Sequence, residues 1–226
     1  VALTLRTIPA ALALAWLGCA GLGEDPRPPP EVVAPSGART IVVTGFGPFL
    51  DVTDNPSGRL AASVDGAEVN GWRVVGVVLP VSYSRGVTRT IATARAYRAG
   101  LVVGLGVDDS RDGVYVEQVS YAGGDGILSD VDGVVRDPAD GERRATVDPR
   151  RLADAIGAQL SDDPGRYVCN GWLYDVSGAL PDVPVGFVHM PPSGLARQRL
   201  LDGLAALVPE RGSAPAGVVN SPRGGP

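Results

Sequence analysis

Hydrophobic positions fall into short β-branched runs separated by longer amphipathic stretches. Residues 40–45, 72–80, 101–106 and 185–190 are near-continuous apolar runs, the pattern of strands buried on both faces. Residues 114–119 alternate apolar and polar side chains and predict a further strand, half-buried. Helical spacing fills the intervals. Residues 56–64 read as a short helix entered through Asn55, with Pro56 in its first turn. Residues 82–98 place Val87, Ile91 and Ala94 on one face, residues 148–158 follow Asp148, and residues 165–180 follow Asp162-Asp163-Pro164. The last helix, 193–208, is apolar at Leu200, Leu201, Leu204 and Leu207. This alternation predicts an α/β fold: a three-layer α/β/α single domain with a mostly parallel twisted sheet.

The ends of the chain break the pattern. Arg6 precedes an apolar run over residues 8–17, and Gly18-Cys19-Ala20 follows it. A basic start, a short apolar core and small residues predict an export signal over 1–19. The run is too short for a comfortable membrane span. Gly18-Cys19 is similar to a bacterial lipobox, which makes Cys19 a candidate lipid attachment site and places the protein in the periplasm or on a membrane as a lipoprotein. The alternatives are a plain secretory signal with an incidental cysteine, or a misassigned start and a cytoplasmic protein. Residues 20–38 are a Pro-rich acidic linker, and 210–226 a Gly/Pro/Ser-rich flexible tail, which leaves 39–209 for the fold.

Composition narrows the chemistry. With 226 residues, 44% of them hydrophobic and 20% charged, the chain supports one globular domain and is not wholly disordered. The net charge of −5 removes the basic footprint expected of a nucleic-acid-binding protein. There are two cysteines, Cys19 and Cys169, and a single histidine, His189, so a Cys/His zinc site cannot be assembled without several carboxylates. Any serine or cysteine nucleophile that depends on a histidine must depend on His189. Ser57 and Ser120 lie outside any Gly-x-Ser-x-Gly elbow.

Cys169 falls early in a predicted helix, where partial positive charge and spare N–H groups favour a thiolate and could hold an oxyanion. His189 ends a predicted strand, the end at which open α/β sheets bind ligands. Glu117 ends another strand, and an imidazole would satisfy it there. The bland roles stay open at this point: a buried structural thiol, a satisfied core histidine, and a carboxylate facing water from an edge strand.

Four blocks carry a resemblance. They are Gly45-Phe46-Gly47-Pro48-Phe49 with Asn55-Pro56-Ser57; Leu79-Pro80-Val81; Gly104-Leu105 with the segment from Arg111 to Glu117; and the pair Gly165-Arg166-Tyr167-Val168-Cys169-Asn170 and Gly186-Phe187-Val188-His189-Met190-Pro191. In this order, spanning nearly all of 39–209, they resemble pyroglutamyl peptidase I, a cysteine peptidase family. The resemblance implies a Cys169–His189–Glu117 triad, with Cys169 attacking the carbonyl of an N-terminal pyroglutamyl residue. It implies Phe46 and Phe49 as walls of a small apolar pocket for the lactam ring, with Asn55 fixing the architecture around them. It implies peptides with N-terminal pyroglutamate as substrates, no metal or cofactor, and a homo-oligomer as one assembly state. Departures from the family pattern are Leu50-Asp51 in place of Gly-Gly, a longer turn carrying Asp108 and Asp109, Gln118 after Glu117, and a strand before Cys169 shortened to 159–161. These departures motivate the alternative: a lipid-anchored, catalytically weak relative that binds peptide N-termini or cyclic amides.

Overall fold

The computed structural model describes residues 39–49 and 52–210. The export-signal reading of 1–19, Cys19 as a lipid site, the linker over 20–38 and the tail beyond Glu210 lie outside the described residues. In chain order the first half comprises β1 (Thr40–Phe46), α1 (Pro56–Ser63), β2 (Glu68–Val69), β3 (Trp72–Leu79), α2 (Arg85–Ala96), β4 (Ala99–Val107) and β5 (Tyr115–Glu117). The second half comprises β6 (Val119–Tyr121), β7 (Glu142–Arg144), α3 (Pro149–Ile156), β8 (Gln159–Ser161), α4 (Val168–Ala179), β9 (Val185–Met190) and α5 (Arg197–Leu207).

Seven strands form one sheet in the order β2-β3-β1-β4-β9-β5-β8. The pairs β1/β3, β1/β4, β4/β9 and β5/β8 are parallel; β2/β3 and β5/β9 are antiparallel. Buried β-branched runs occupy its centre, and every residue of β1 and β9 is buried. Helices α1, α3 and α5 cover one face, packing Leu60, Leu152, Ile156, Leu200 and Leu204 on Ile41, Val103 and Val188. Helices α2 and α4 cover the other, with Ala94, Trp172, Leu173 and Val176 against Val42, Val102 and Phe187. The result is the α/β/α layering and mostly parallel sheet that the sequence predicts. Strands β6 and β7 pair separately as a two-stranded ribbon.

Local chemistry sets the helix ends. Asn55 caps α1 by accepting from Ser57 N–H at 3.1 Å, with Pro56 already fixed in helical φ. Asp148 does the same for α3, accepting from Arg151 N–H at 3.0 Å, and Gly157 closes that helix in the left-handed region (φ 61°).

The structure departs from the sequence reading at three places that matter for the site. Helix α4 starts at Val168 rather than near Gly165, because Gly165 is left-handed (φ 70°) and Tyr167 extended. Cys169 therefore sits at the second residue of the helix, closer to its positive end than predicted. The run 114–119 is two strands. It breaks at Gln118, whose N–H donates to Ser161 O at 2.8 Å and whose C=O accepts from Ala145 N–H at 2.8 Å, and this passes the chain from the large sheet to the ribbon. The last helix begins at Arg197 rather than Ser193.

One face of β4 lacks side chains where α4 approaches. A Cβ on Gly104 would lie 2.5 Å from both the Phe187 and Trp172 rings. Trp172, wholly buried, fills that space, and its indole N–H donates to Thr90 Oγ1 at 2.9 Å. Side chains of this size contribute about 3–5 kcal/mol in well-packed cores. The α4–β4 contact is thus both close and stiff, which fixes where Cys169 sits.

Candidate active site

Glu117, Cys169 and His189 come from three different elements, and the sheet brings them together. β5 runs antiparallel to β9 with Tyr115 opposite His189, so Glu117 and His189 are diagonal neighbours on the face that α4 covers. His189 Nδ1 lies 2.8 Å from Glu117 Oε1. The carboxylate is fully buried and His189 nearly so, at 4% exposed. With Nδ1–H donating to Glu117, Nε2 is the ring nitrogen left over, and Cys169 lies close enough to act on the charge of the ring. Cys169 is half-buried and lies over Gly106, whose added Cβ would come within 2.8 Å of Sγ. Gly106 is also the residue of β4 that pairs with His189, so the strand register sets thiol and imidazole side by side.

The electrostatics favour a charged imidazole. Burial alone would lower the His189 pKa, but hydrogen bonds and charge from Cys169 and Glu117 outweigh it and push the group up to about 9. Glu117 follows the same logic with opposite sign. Burial would raise it, but His189, Ser161 and Arg111 hold it below the usual carboxylate range. The start of α4 adds donors. Its first backbone bond runs from Gly171 N–H to Tyr167 O at 3.1 Å, so the N–H groups of Val168, Cys169 and Asn170 precede any intrahelical acceptor. The N-cap residue, Tyr167, offers no side-chain cap to occupy them.

The aromatic residues divide. Phe49 is half-buried, its ring 5.5 Å from that of Tyr167, and Tyr83 meets Tyr167 edge-on at 5.8 Å. Phe46 is 4% exposed and lies with Val42, Val77 and Leu79 in the core under α2 and α4. Asn55 is a bracing residue: its side chain donates to Gly47 O at 3.1 Å and accepts from Ser57 Oγ at 2.8 Å, tying the segment after β1 to α1. Ser57 Oγ in turn accepts from Phe46 N–H at 3.0 Å.

A half-buried thiol beside a buried imidazole and carboxylate, at the carboxyl ends of β4 and β9, is an arrangement that hydrolases can use. The sequence comparison decides which kind, because the pyroglutamyl peptidase family model matches residues 39–202. The chain belongs to the pyroglutamyl peptidase family. It is 30% identical over 168 residues to the pyrrolidone-carboxylate peptidase of Halalkalibacterium halodurans, covering 68% of this chain and 84% of that one. It is 27% identical over 169 residues to the corresponding peptidase of Oceanobacillus iheyensis, covering 69% and 85%. Its fold is similar to that of pyroglutamyl peptidase I from Bacillus amyloliquefaciens (TM-score 0.67, 19% identity, 75% of this chain and 93% of that one). The pyrrolidone carboxyl peptidase of Thermococcus litoralis is similar to the same degree (TM-score 0.65, 21% identity, 74% and 90%). Membership of the family makes the chain a peptidase.

Several residues around this peptidase site were not singled out from the sequence. Asn170, fully buried beside Cys169, accepts from Tyr121 N–H at 2.7 Å and donates to Tyr121 O and Gly123 O, both at 3.0 Å, which pins the first turn of α4 to the ribbon. Its place directly after the nucleophile candidate was the signal. Tyr167 stands two residues before Cys169, and Tyr83 two residues after Val81, at a spacing that nothing in the sequence marks. Gly106 carries no side chain and so gave no signal at all. Among the described residues, no helix is long and apolar enough to cross a membrane.

Proposed function

We propose that this chain hydrolyses the bond after an N-terminal pyroglutamyl residue by nucleophilic attack of Cys169. The observation that carries the reading is the bond between buried His189 and buried Glu117, with Cys169, at the start of α4, over the β4 residue that pairs with His189. His189 and Cys169 act as an imidazolium–thiolate pair. The sulfur attacks the pyroglutamyl carbonyl, and its oxygen gathers negative charge beside the free N–H groups of α4. The imidazolium then gives its proton to the departing amine. Water hydrolyses the thioester, with His189 now acting as base, and pyroglutamate leaves. Glu117 holds the ring in one orientation throughout. Phe49 and Tyr167 supply an apolar wall suited to a compact uncharged lactam, Phe46 backs it and Asn55 braces it.

The test is release of aminocoumarin from pyroglutamyl- and prolyl-coumarin amides by the protein in dithiothreitol. Turnover of the first and not the second is expected, because proline has the ring without the lactam carbonyl. Equal turnover of both, or none of the pyroglutamyl amide by folded protein, would overturn the reading.

A pH profile follows from His189. Its raised pKa keeps the proton needed by the leaving amine at neutral pH, and that proton is lost as pH rises through about 9. The alkaline limb of kcat/KM is therefore expected near that pH. Glu117→Gln removes one of the charges that raise the group, so its limb is expected at lower pH. An unchanged limb in that variant would contradict the assignment.

A further inference from the structure

Glu117 is buried without a water-facing side, yet it is not held by His189 alone. The connection between β4 and β5 places Arg111 against it. Arg111 Nη2 donates to Glu117 Oε1 at 3.1 Å, the same oxygen that meets His189 Nδ1 at 2.8 Å. Arg111 Nη1 donates to Ser161 Oγ at 3.0 Å, and its Nε donates to Asp108 Oδ2 at 2.5 Å. The guanidinium also lies 4.2 Å from the centroid of the Tyr115 ring. Every edge of the fork is therefore fixed: by the turn after β4, by β8, by the end of β5 and, on its flat side, by an aromatic ring.

We propose that Arg111 is the positioning residue of this site, clamping the Glu117 carboxylate so that Oε1 stays aimed at His189, with Asp108 and Ser161 fixing the clamp. The inference rests on the proposed cysteine-peptidase reaction and deepens it. Asp108, Arg111, Glu117 and His189 form a line of alternating charge from the surface turn to the ring beside Cys169. A carboxylate bound by histidine alone could swing about its side-chain torsions, since β5 is only three residues long and Glu117 is its last. Arginine suits the task because its planar fork engages three acceptors at once. A lysine offers a point charge without that geometry. The longer turn after β4, which carries Asp108, thereby gains a role: Asp108 also accepts from Ser110 N–H at 3.0 Å, and this folds the turn back under Arg111.

Arg111→Gln tests the proposal against a general loss of structure. Glu117 faces His189 from β9, Ser161 from β8 and Arg111 from the connecting turn, with Cys169 beyond His189 on α4. Removing Arg111 takes away one of the groups that hold the carboxylate below its usual range. The expected result is a kcat lower by about 10- to 100-fold, the scale of a lost charged positioning contact, at a KM within twofold of the parent. The acid limb of kcat should move to higher pH, and Arg111→Lys should restore part of the rate. A merely structural arginine would not produce the KM–kcat split, the displaced limb or the partial rescue. Should Arg111→Gln fail to fold by circular dichroism, Asp108→Asn carries the test, with kcat expected to fall about three- to tenfold at unchanged KM. Parental kcat and acid limb in a folded Arg111→Gln protein, or parental kcat in Asp108→Asn where that variant carries the test, would overturn the inference while leaving the reaction standing. A parent protein without turnover of pyroglutamyl-coumarin amide would overturn the reaction, and the inference with it.

Discussion

Cys169→Ala is expected to lower kcat on a pyroglutamyl amide by about 10⁵- to 10⁶-fold, and His189→Ala by nearly as much. The reason lies in how the two groups are held. Among the described residues Cys169 is the one cysteine, and His189 is the chain's one histidine, so no neighbour can substitute for either. His189 is buried, with Glu117 and Cys169 acting on its charge. Because nucleophile and base act as a unit, the double variant should be no slower than Cys169→Ala alone. What rate remains would come from the helix-terminal N–H groups and the pocket wall, which neither substitution touches. Single-turnover and steady-state kinetics on the three proteins, with circular dichroism as a check on folding, measure this directly. Losses that multiply in the double variant, or more than about 1% of parental kcat in Cys169→Ala, would show that the thiol and imidazole do not work together.

Gly106→Ala should give the second large loss, about 10²-fold in kcat, from one added methyl group that touches no substrate. The methyl carbon would fall 2.8 Å from Cys169 Sγ and 2.9 Å from two carbons of the Phe187 ring. Phe187, 1% exposed, has no room to yield. Phe187 is packed at 5.5 Å centroid separation on Trp172 and at 4.9 Å on the His189 ring. The strain therefore goes into the thiol, and a displacement approaching 1 Å costs about that factor in rate. Stability should fall by about 1–3 kcal/mol, the usual cost of overpacking, and leave the protein folded at room temperature. Urea unfolding read beside kcat separates the two effects. A folded Gly106→Ala protein with parental kcat would mean that the thiol's position is not set by the sheet.

Much of this was readable before any coordinates. Doubly buried strands announce themselves because Val and Ile crowd β1, β3, β4 and β9, and the helices between them carry apolar faces. Cys169 and His189 stand out by scarcity, and Glu117 by its place at the end of an apolar strand. What escaped has a physical cause in each case. Gly104 and Gly106 matter for the side chains they lack, and a missing side chain leaves no pattern. Arg111 lies on an aperiodic connection, so its convergence with Glu117, Ser161 and Asp108 depends on β8 arriving beside β5, which no local signal encodes. The break at Gln118 was hidden because β5 and β6 share one alternating run while belonging to different sheets. The late start of α4 follows from Gly165, whose left-handed backbone nothing in the sequence marks.

The position of β9 bears on how the molecule is made. Among the described residues it is the last strand, yet it lies between β4 and β5 in the sheet. Until residues 185–190 have been synthesised, the two halves β2-β3-β1-β4 and β5-β8 present raw, unpaired edges to each other and to anything nearby. Such long-range closure, parallel to β4 and antiparallel to β5, is slow, and its waiting state invites self-association. Since β9 also carries His189, on the proposed reaction the chain gains its base only with the insertion that seals the sheet. Premature termination before this strand would yield sticky, inactive polypeptide rather than a smaller working domain.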